Sequence, residues 1–166
     1  MIVLREFKQE DVSRLQEHLN NRQVTQYLTS SIPQPYTLDD AKWWINEGCK
    51  GGIVRAIDYN GQLVGSVGAN RRQFEQARTG EIGYWIAQPY WGKGIATAAL
   101  IELTAHILQA SDILRLQAHV FAGNFASNRV LEKAGYSLEG VLRKAVCKQG
   151  VIMDAFLYAV VRAENP

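Results

Sequence analysis

Ile2 to Phe7 alternates apolar and charged side chains, which predicts a half-buried opening strand. Behind Glu10 and Asp11, Val12, Leu15 and Leu19 recur at helical spacing, so a helix follows. A second short helical piece covers about Asn21 to Leu28, and Pro33 and Pro35 mark the loop after it. Thr37 with Asp40 three residues on makes a capping-box start for a helix over Ala41 to Gly48. Ile53 to Tyr59 and Gln62 to Ala69 flank Asn60-Gly61, the strongest short hairpin signal. Glu81 to Ala87 is a β-type run that stops at Gln88-Pro89. A helix then begins at Ile95, carries Ala96, Leu100, Leu103 and Ile107 on one face, and ends near Ser111-Asp112. Ile113 to Phe121 is the next strand. Gly123-Asn124 opens a helix that closes at Gly135, and Ser137 to Cys147 with Val151 to Val161 forms an antiparallel hairpin turning at Gln149-Gly150.

The centre of this pattern is the strand, glycine turn and helix start from Gly80 to Leu100. If Ile113 to Phe121 returns parallel to Glu81 to Ala87, the two strands and the helix between them make a right-handed βαβ unit. The helix N-terminus then lies at the sheet end where open α/β folds bind ligands. Its first-turn N–H groups have no intrahelical acceptor, the peptide dipoles add partial positive charge, and Gly92 and Gly94 allow close backbone approach. That is an anion site suited to phosphate. It matches neither named phosphate motif, since the third glycine of the dinucleotide fingerprint is missing and no GxxxxGK[S/T] occurs.

Composition narrows the classes. At 166 residues, without a Pro- or Ser-rich linker, the chain reads as one domain over 1–166. A net charge of +2 from interleaved acids and bases argues against nucleic acid as partner. No apolar run is long enough to span a bilayer, so no membrane role is expected. Met1-Ile-Val-Leu runs straight into Arg5 and Glu6 with no secretory pattern, and Cys49 and Cys147 lack metal-ligand spacing, which together suggest the reducing cytoplasm. His18, His106 and His119 show neither i,i+4 pairing nor a shared carboxylate, so no metal site is expected.

Two segments carry a family resemblance. Trp91-Gly92-Lys93-Gly94-Ile95-Ala96 resembles the acetyl-CoA pyrophosphate loop of the GNAT acetyltransferases, Gln/Arg-x-x-Gly-x-Gly/Ala. Asn124 to Tyr136 is similar to the same superfamily's Asn-x-x-Ser/Ala and Lys-x-Gly-aromatic segment. Tyr90 through Thr97 further resembles the ribosomal-protein N-terminal acetyltransferase branch, the RimJ/RimL type. The resemblance implies an α/β GNAT (acyl-CoA N-acyltransferase) fold: a mixed, mostly antiparallel sheet with a central parallel strand pair and flanking helices. It also implies acetyl-CoA as co-substrate and an amine acceptor, either a protein N-terminal α-amino group or a small amine such as a polyamine, amino acid or antibiotic. The protein would act as a monomer or homodimer, and a non-catalytic CoA-binding sensor is a further alternative.

Residue roles follow. The diphosphate falls to the amides of Gly92, Lys93, Gly94, Ile95, Ala96 and Thr97, with Trp91 standing where the superfamily has Gln or Arg. The pantetheine arm falls to the strand end at Ile86, whose N–H also serves to polarise the thioester oxygen, and to Asn124. Glu81 is the first candidate for the base, on the expectation that its apolar stretch buries it and raises its pKa, against the alternative of a solvated strand-end carboxylate. His119 comes second, as a histidine expected to face away from the site, and Asp154 third. Leu131 stands where many members have the thiolate-protonating Tyr; in the RimJ/RimL type a Ser of the Asn-x-x-Ser segment takes that part, which the resemblance places on Ser127, whose alternative role is a cap or first-turn hydroxyl of the Asn124 helix. Tyr136 reads as packing at the helix exit. Of the adjacent Trp43 and Trp44, one is expected in the core, and the other either lines the acceptor groove that the resemblance places beside the first helices or is a partly exposed packing residue. Arg71, Arg72, Gln73 and Arg78 read as loop charge or as a site for an acidic acceptor.

Overall fold

The apolar runs of the sequence become seven strands of one sheet in the computed structural model, which describes residues 1–163. The strands are β1 (Ile2–Arg5), β2 (Ile53–Tyr59), β3 (Gln62–Arg71), β4 (Thr79–Ile86), β5 (Arg115–Phe121), β6 (Ser137–Lys148) and β7 (Val151–Val161). Their order is β1-β2-β3-β4-β5-β7-β6, and every neighbouring pair is antiparallel except β4 and β5, which run parallel. This is the mixed α/β sheet with a central parallel pair anticipated above. Glu164, Asn165 and Pro166, the end of the 1–166 span, lie outside the described residues.

Five helices cover the sheet: α1 (Val12–Leu19), α2 (Arg22–Thr25), α3 (Leu38–Asn46), α4 (Ile95–Ala110) and α5 (Phe125–Lys133). Among the described residues none is long and apolar enough to cross a membrane. Leu100, Leu103 and Ile107 of α4 are fully buried against Val67, Ile82, Ile86 and Leu116, and Leu131 and Tyr136 join them from the α5 side. At about 1.5–3 kcal/mol for each such side chain, this layer fixes the βαβ unit. Leu15, Leu19, Ala41 and Ile45 fill a second core on the opposite face, against Ala56 and Leu63. The two cores follow from strand alternation, which sends Ala56 to one face and Ile57 to the other.

Local signals set most boundaries. Thr37 and Asp40 form the expected reciprocal cap, with Asp40 N to Thr37 Oγ1 at 3.1 Å and Thr37 N to Asp40 Oδ2 at 2.7 Å. Because a helix starts directly after its cap, α3 begins at Leu38 rather than Ala41. α5 closes with Tyr136 N on Leu131 O (3.0 Å) and Gly135 N on Glu132 O (3.1 Å), the paired bonds of a Schellman ending. Tyr136 is packing, as expected, with its hydroxyl 2.8 Å from Thr104 Oγ1.

One expectation is corrected, and two sets of alternatives are decided. The Asn21–Leu28 helix shortens to Arg22–Thr25, because Leu28 N turns back to Thr25 O and Lys148 Nζ takes both the Thr25 and Leu28 carbonyls. Trp44 packs in the second core, edge-on to Phe7, but Trp43 is 61 % exposed and leans over Gly48, so it is the partly exposed packing residue, set against the end of its own helix. Arg71 and Arg78 are surface charge that also ties the β3–β4 connection to the α4–β5 connection, Arg71 pairing with Asp112 (2.5 Å) and Arg78 donating to the Asp112 carbonyl (2.9 Å), while Arg72 reaches Glu81.

One ion cluster is nearly dry. The Arg5 guanidinium forks onto Asp11 (2.7 and 2.8 Å) and reaches Asp58 through Nε (2.8 Å), joining β1, the turn before α1 and the end of β2. Asp11 and Asp58 are 3 % and 8 % exposed.

Candidate active site

β4 and β5 pair only through Thr79↔Arg115, Gly80↔Leu116 and Glu81↔Gln117. Beyond that point β4 stays with β3 as far as Ile86, while β5 stays with β7 as far as Phe121, so a gap opens in the middle of the sheet. Arg72 N bonds Thr79 O and Ala87 N bonds Val64 O, so the odd-numbered residues of β4 turn their peptide groups toward β3. Ile82, Tyr84 and Ile86 therefore direct theirs into the gap. Trp91 Nε1 takes the Ile86 carbonyl at 2.7 Å, leaving the Ile86 N–H facing the opening.

At the mouth of the gap the chain makes a short 3₁₀ turn over Gln88–Tyr90, passes Trp91, and enters α4. Gly92 and Gly94 have φ of 74° and 72°, a left-handed backbone that side chains disfavour, and a Cβ on either would meet no protein atom within 4 Å. Gly94 caps α4 with no side-chain hydrogen bond, and the first intrahelical bond is Ala98 N to Gly94 O. The amides of Ile95, Ala96 and Thr97 are thus free of intrahelical acceptors, and no acidic side chain stands in the first turn. Lys93 Nζ sits 5.1 Å from the centre of the Tyr90 ring, keeping a cation beside the turn. The Trp91 indole, whose one donor goes to Ile86, anchors the turn to β4. Asn21 Nδ2 bonds Gln88 Oε1 (2.7 Å), bringing the α1–α2 connection against the same turn.

Alternation along β4 divides the gap into two faces. On the α4–α5 face Tyr84 lies between Ile82 and Ile86, and its hydroxyl is 2.5 Å from Ser127 Oγ and 3.2 Å from the Ser127 carbonyl. Burial pushes the Tyr84 phenol up to about 12, so it stays protonated at neutral pH, although the Ser127 hydrogen bond works against the shift. Asn124 caps α5, its Oδ1 accepting from Ser127 N at 3.3 Å. Asn124 is the cap and Ser127 a first-turn hydroxyl of α5, as its alternative reading had it, and that hydroxyl meets a phenol that sequence reasoning missed. The signal was there: Tyr84 has the same parity as Ile82 and Ile86, the residues that face α4.

The opposite face carries Glu81, Gly83 and Trp85 from β4, with Gln117 and His119 beside them on β5. Glu81 Oε2 accepts from Gln117 Nε2 (2.9 Å) and Arg72 Nη1 (3.4 Å), and Oε1 is paired with His119 Nδ1. Arg115 links the group outward, donating to Gln117 Oε1 (2.9 Å) and forking onto Glu139. That fork holds the Glu139 carboxyl below the usual range. Gly83, with open space where a Cβ would stand, leaves a recess between Glu81 and Trp85.

The expected picture of Glu81 and His119 is therefore corrected. Glu81 is not secluded by its apolar neighbours, which point to the other face, and its side chain is 29 % exposed among three donors. His119 does not face away: Glu81 is level with Gln117, and His119, two residues on, shares the parity of both. It also has the carboxylate partner the sequence did not reveal. Asp154 is elsewhere, its Oδ1 accepting from Lys144 N (2.8 Å) at an irregularity of the β6–β7 pair. His18 is a core residue, donating from Nε2 to the Leu63 carbonyl (3.2 Å). Among the described residues no three His, Cys, Asp or Glu side chains come together as a metal site.

The comparisons agree with this geometry. The family model for the acetyltransferase (GNAT) domain matches residues 2–137. The uncharacterized N-acetyltransferase YoaA of Bacillus subtilis (strain 168) is 29 % identical over 97 % of this chain and 93 % of its own. The ribosomal-protein-serine acetyltransferase of Escherichia coli (strain K12) is 34 % identical over 59 % of this chain and 54 % of its own. A solved acetyltransferase (GNAT family) from Bacillus anthracis superposes with a TM-score of 0.84 at 25 % identity, covering 98 % of this chain and 96 % of that one. A sheet split after Glu81, a glycine turn heading α4 and a family match over most of the chain lead to one assignment: the protein belongs to the GNAT acetyltransferase family and is an acyltransferase.

Proposed function

We propose that this chain, as one domain over residues 1–166, moves the acetyl group of acetyl-CoA onto the α-amino group of a protein N-terminus, in the cytoplasm. The observation carrying this reading is the glycine turn with free amides at the mouth of a gap whose two faces present different proton-handling pairs. The amides from Gly92 to Thr97 hold the diphosphate, with the α4 dipole behind them. The pantetheine arm lies along the open edge of β4, aided by Asn124, and the Ile86 N–H polarises the thioester oxygen. The Tyr84–Ser127 hydroxyls protonate the leaving thiolate on one face. The Glu81–His119 pair receives the amine proton on the other.

Two points support an N-terminal acceptor. The similarity to the ribosomal-protein-serine acetyltransferase covers the stretch of chain given above. An α-amine, with pKa about 7.7–8.0, is partly neutral at physiological pH, whereas a lysine amine near 10.4 is not. A thiol-release assay with acetyl-CoA tests the reading, offering peptides with free N-termini, the same peptides N-blocked but containing lysine, polyamines and free amino acids. Release with the free N-termini is expected. Release only with small amines would transfer the assignment to a small-molecule acetyltransferase, and cofactor binding without release on any acceptor would point to a sensor.

Ser127→Ala is expected to lower kcat by about 10-fold or more while leaving acetyl-CoA affinity within about twofold, because the hydroxyl acts when sulfur leaves. Tyr84→Phe should fall in the same direction. Steady-state kinetics beside calorimetric titration separate the two effects, and an unchanged kcat in both variants would reduce the pair to a packing contact.

A further inference from the structure

We infer that His119, rather than Glu81, accepts the proton of the attacking amine, and that Glu81 is a positioning residue acting through it; this rests on the acetyl-transfer reading above. Glu81 already accepts from Gln117, Arg72 and His119, so an amine reaching it must displace a donor or find its one remaining lone pair. The imidazole is placed differently. An ionised carboxylate only accepts hydrogen bonds, so the His119 nitrogen against it, Nδ1, carries the hydrogen. The neutral ring then keeps its lone pair on Nε2, which no described residue engages. The side chain is 33 % exposed and stands on β5 just past the last residue paired with β4, beside the recess at Gly83.

The charged groups around this ring are Arg72 from the connection just after β3, Glu81 from β4, Arg115 from β5 and Glu139 from β6. Its cross-strand partner on β7, Leu157, is uncharged. Arg72 faces Glu81 and Arg115 is paired with Glu139, so an imidazolium formed at His119 meets the Glu81 carboxylate as its nearest charge.

The amine lone pair bonds to the thioester carbon as the carbonyl electrons move onto oxygen, and one N–H proton passes to His119 Nε2. The carbonyl re-forms, the C–S bond breaks with its electrons on sulfur, and the thiolate takes a proton from the Tyr84–Ser127 hydroxyls, which regain one from water. His119 returns its proton to solvent. The products are the acetylated amine and CoA.

The test is the pH dependence of kcat/KM for the full chain with acetyl-CoA and a free-N-terminus peptide, together with acetyl-CoA titration by calorimetry. His119→Gln is expected to lose about 100-fold or more in kcat/KM and to flatten the acidic limb, with cofactor affinity within about twofold. His119→Ala should regain rate when imidazole is added. Glu81→Gln should lose less, about 10-fold, because the ring keeps its lone pair and loses only the partner that holds it in place. If His119→Gln keeps the native rate and limb while Glu81→Gln abolishes the limb, the assignment is overturned and Glu81 is the base. A native chain that binds acetyl-CoA yet acetylates no amine would instead overturn the acetyl-transfer reading, and this inference with it.

Discussion

Acetyl-CoA is expected to bind a Gly94→Val variant at least about 100-fold more weakly than the native chain, a loss of about 2.7 kcal/mol. Gly94 holds φ of 72° at the cap of α4. A β-branched residue there costs about 1–2 kcal/mol in strain, and the chain can relieve it only by turning the adjacent amides out of register. On the proposed reading of this turn as the diphosphate site, the new side chain would also stand where the backbone approaches the phosphates. Because a Cβ at this position meets no protein atom within 4 Å, the effect does not come from repacking the core. The urea midpoint should fall by no more than the strain accounts for, while calorimetric titration shows the affinity loss. Native affinity in the variant would discredit the turn as the phosphate site.

Arg5→Ala is expected to destabilise the fold by about 3 kcal/mol at neutral pH, since removing one partner leaves two buried carboxylates without their cation. The sign with pH is specific. Burial would raise the Asp58 carboxyl, but the Arg5 hydrogen bond and the Gly61 amide outweigh it and hold it below the usual range. A carboxyl depressed in the folded state contributes stability that is complete above the unfolded value, about 3.9, and is lost as pH falls through the lower folded value. Without Arg5 that acid-side loss disappears, so the gap between variant and native chain should narrow on acidification below about pH 4. Arg5→Lys should fall between them, keeping charge but not the fork to Asp11 and the reach to Asp58. Urea unfolding across that pH range checks all three statements, and an Arg5→Ala midpoint equal to native at neutral pH would sink them.

The elements that were legible in the sequence are those governed by nearest neighbours. The Thr37–Asp40 cap, the Asn60-Gly61 hairpin, the glycine turn before Ile95 and the close of α5 at Gly135 each depend on a few adjacent residues, and each appears where expected. Where a distant group intervened, the reading shifted. The second helix is cut short because Lys148, far along the chain, claims its carbonyls.

The sequence by itself determined most of the secondary elements, the glycine turn before α4 and the family, because hydrophobic period, turn chemistry and two ordered motifs are all properties of contiguous residues. Only the tertiary structure decided what faces what. Pairing Glu81 with Gln117 sets the parity of β4 against β5, and from that register follows the Glu81–His119 contact, while the docking of α5 over β4 seats Tyr84 on Ser127. Strand register is fixed by the packing of whole sheet faces, with Leu116 and Ile82 drawn under α4, and no local stretch encodes it.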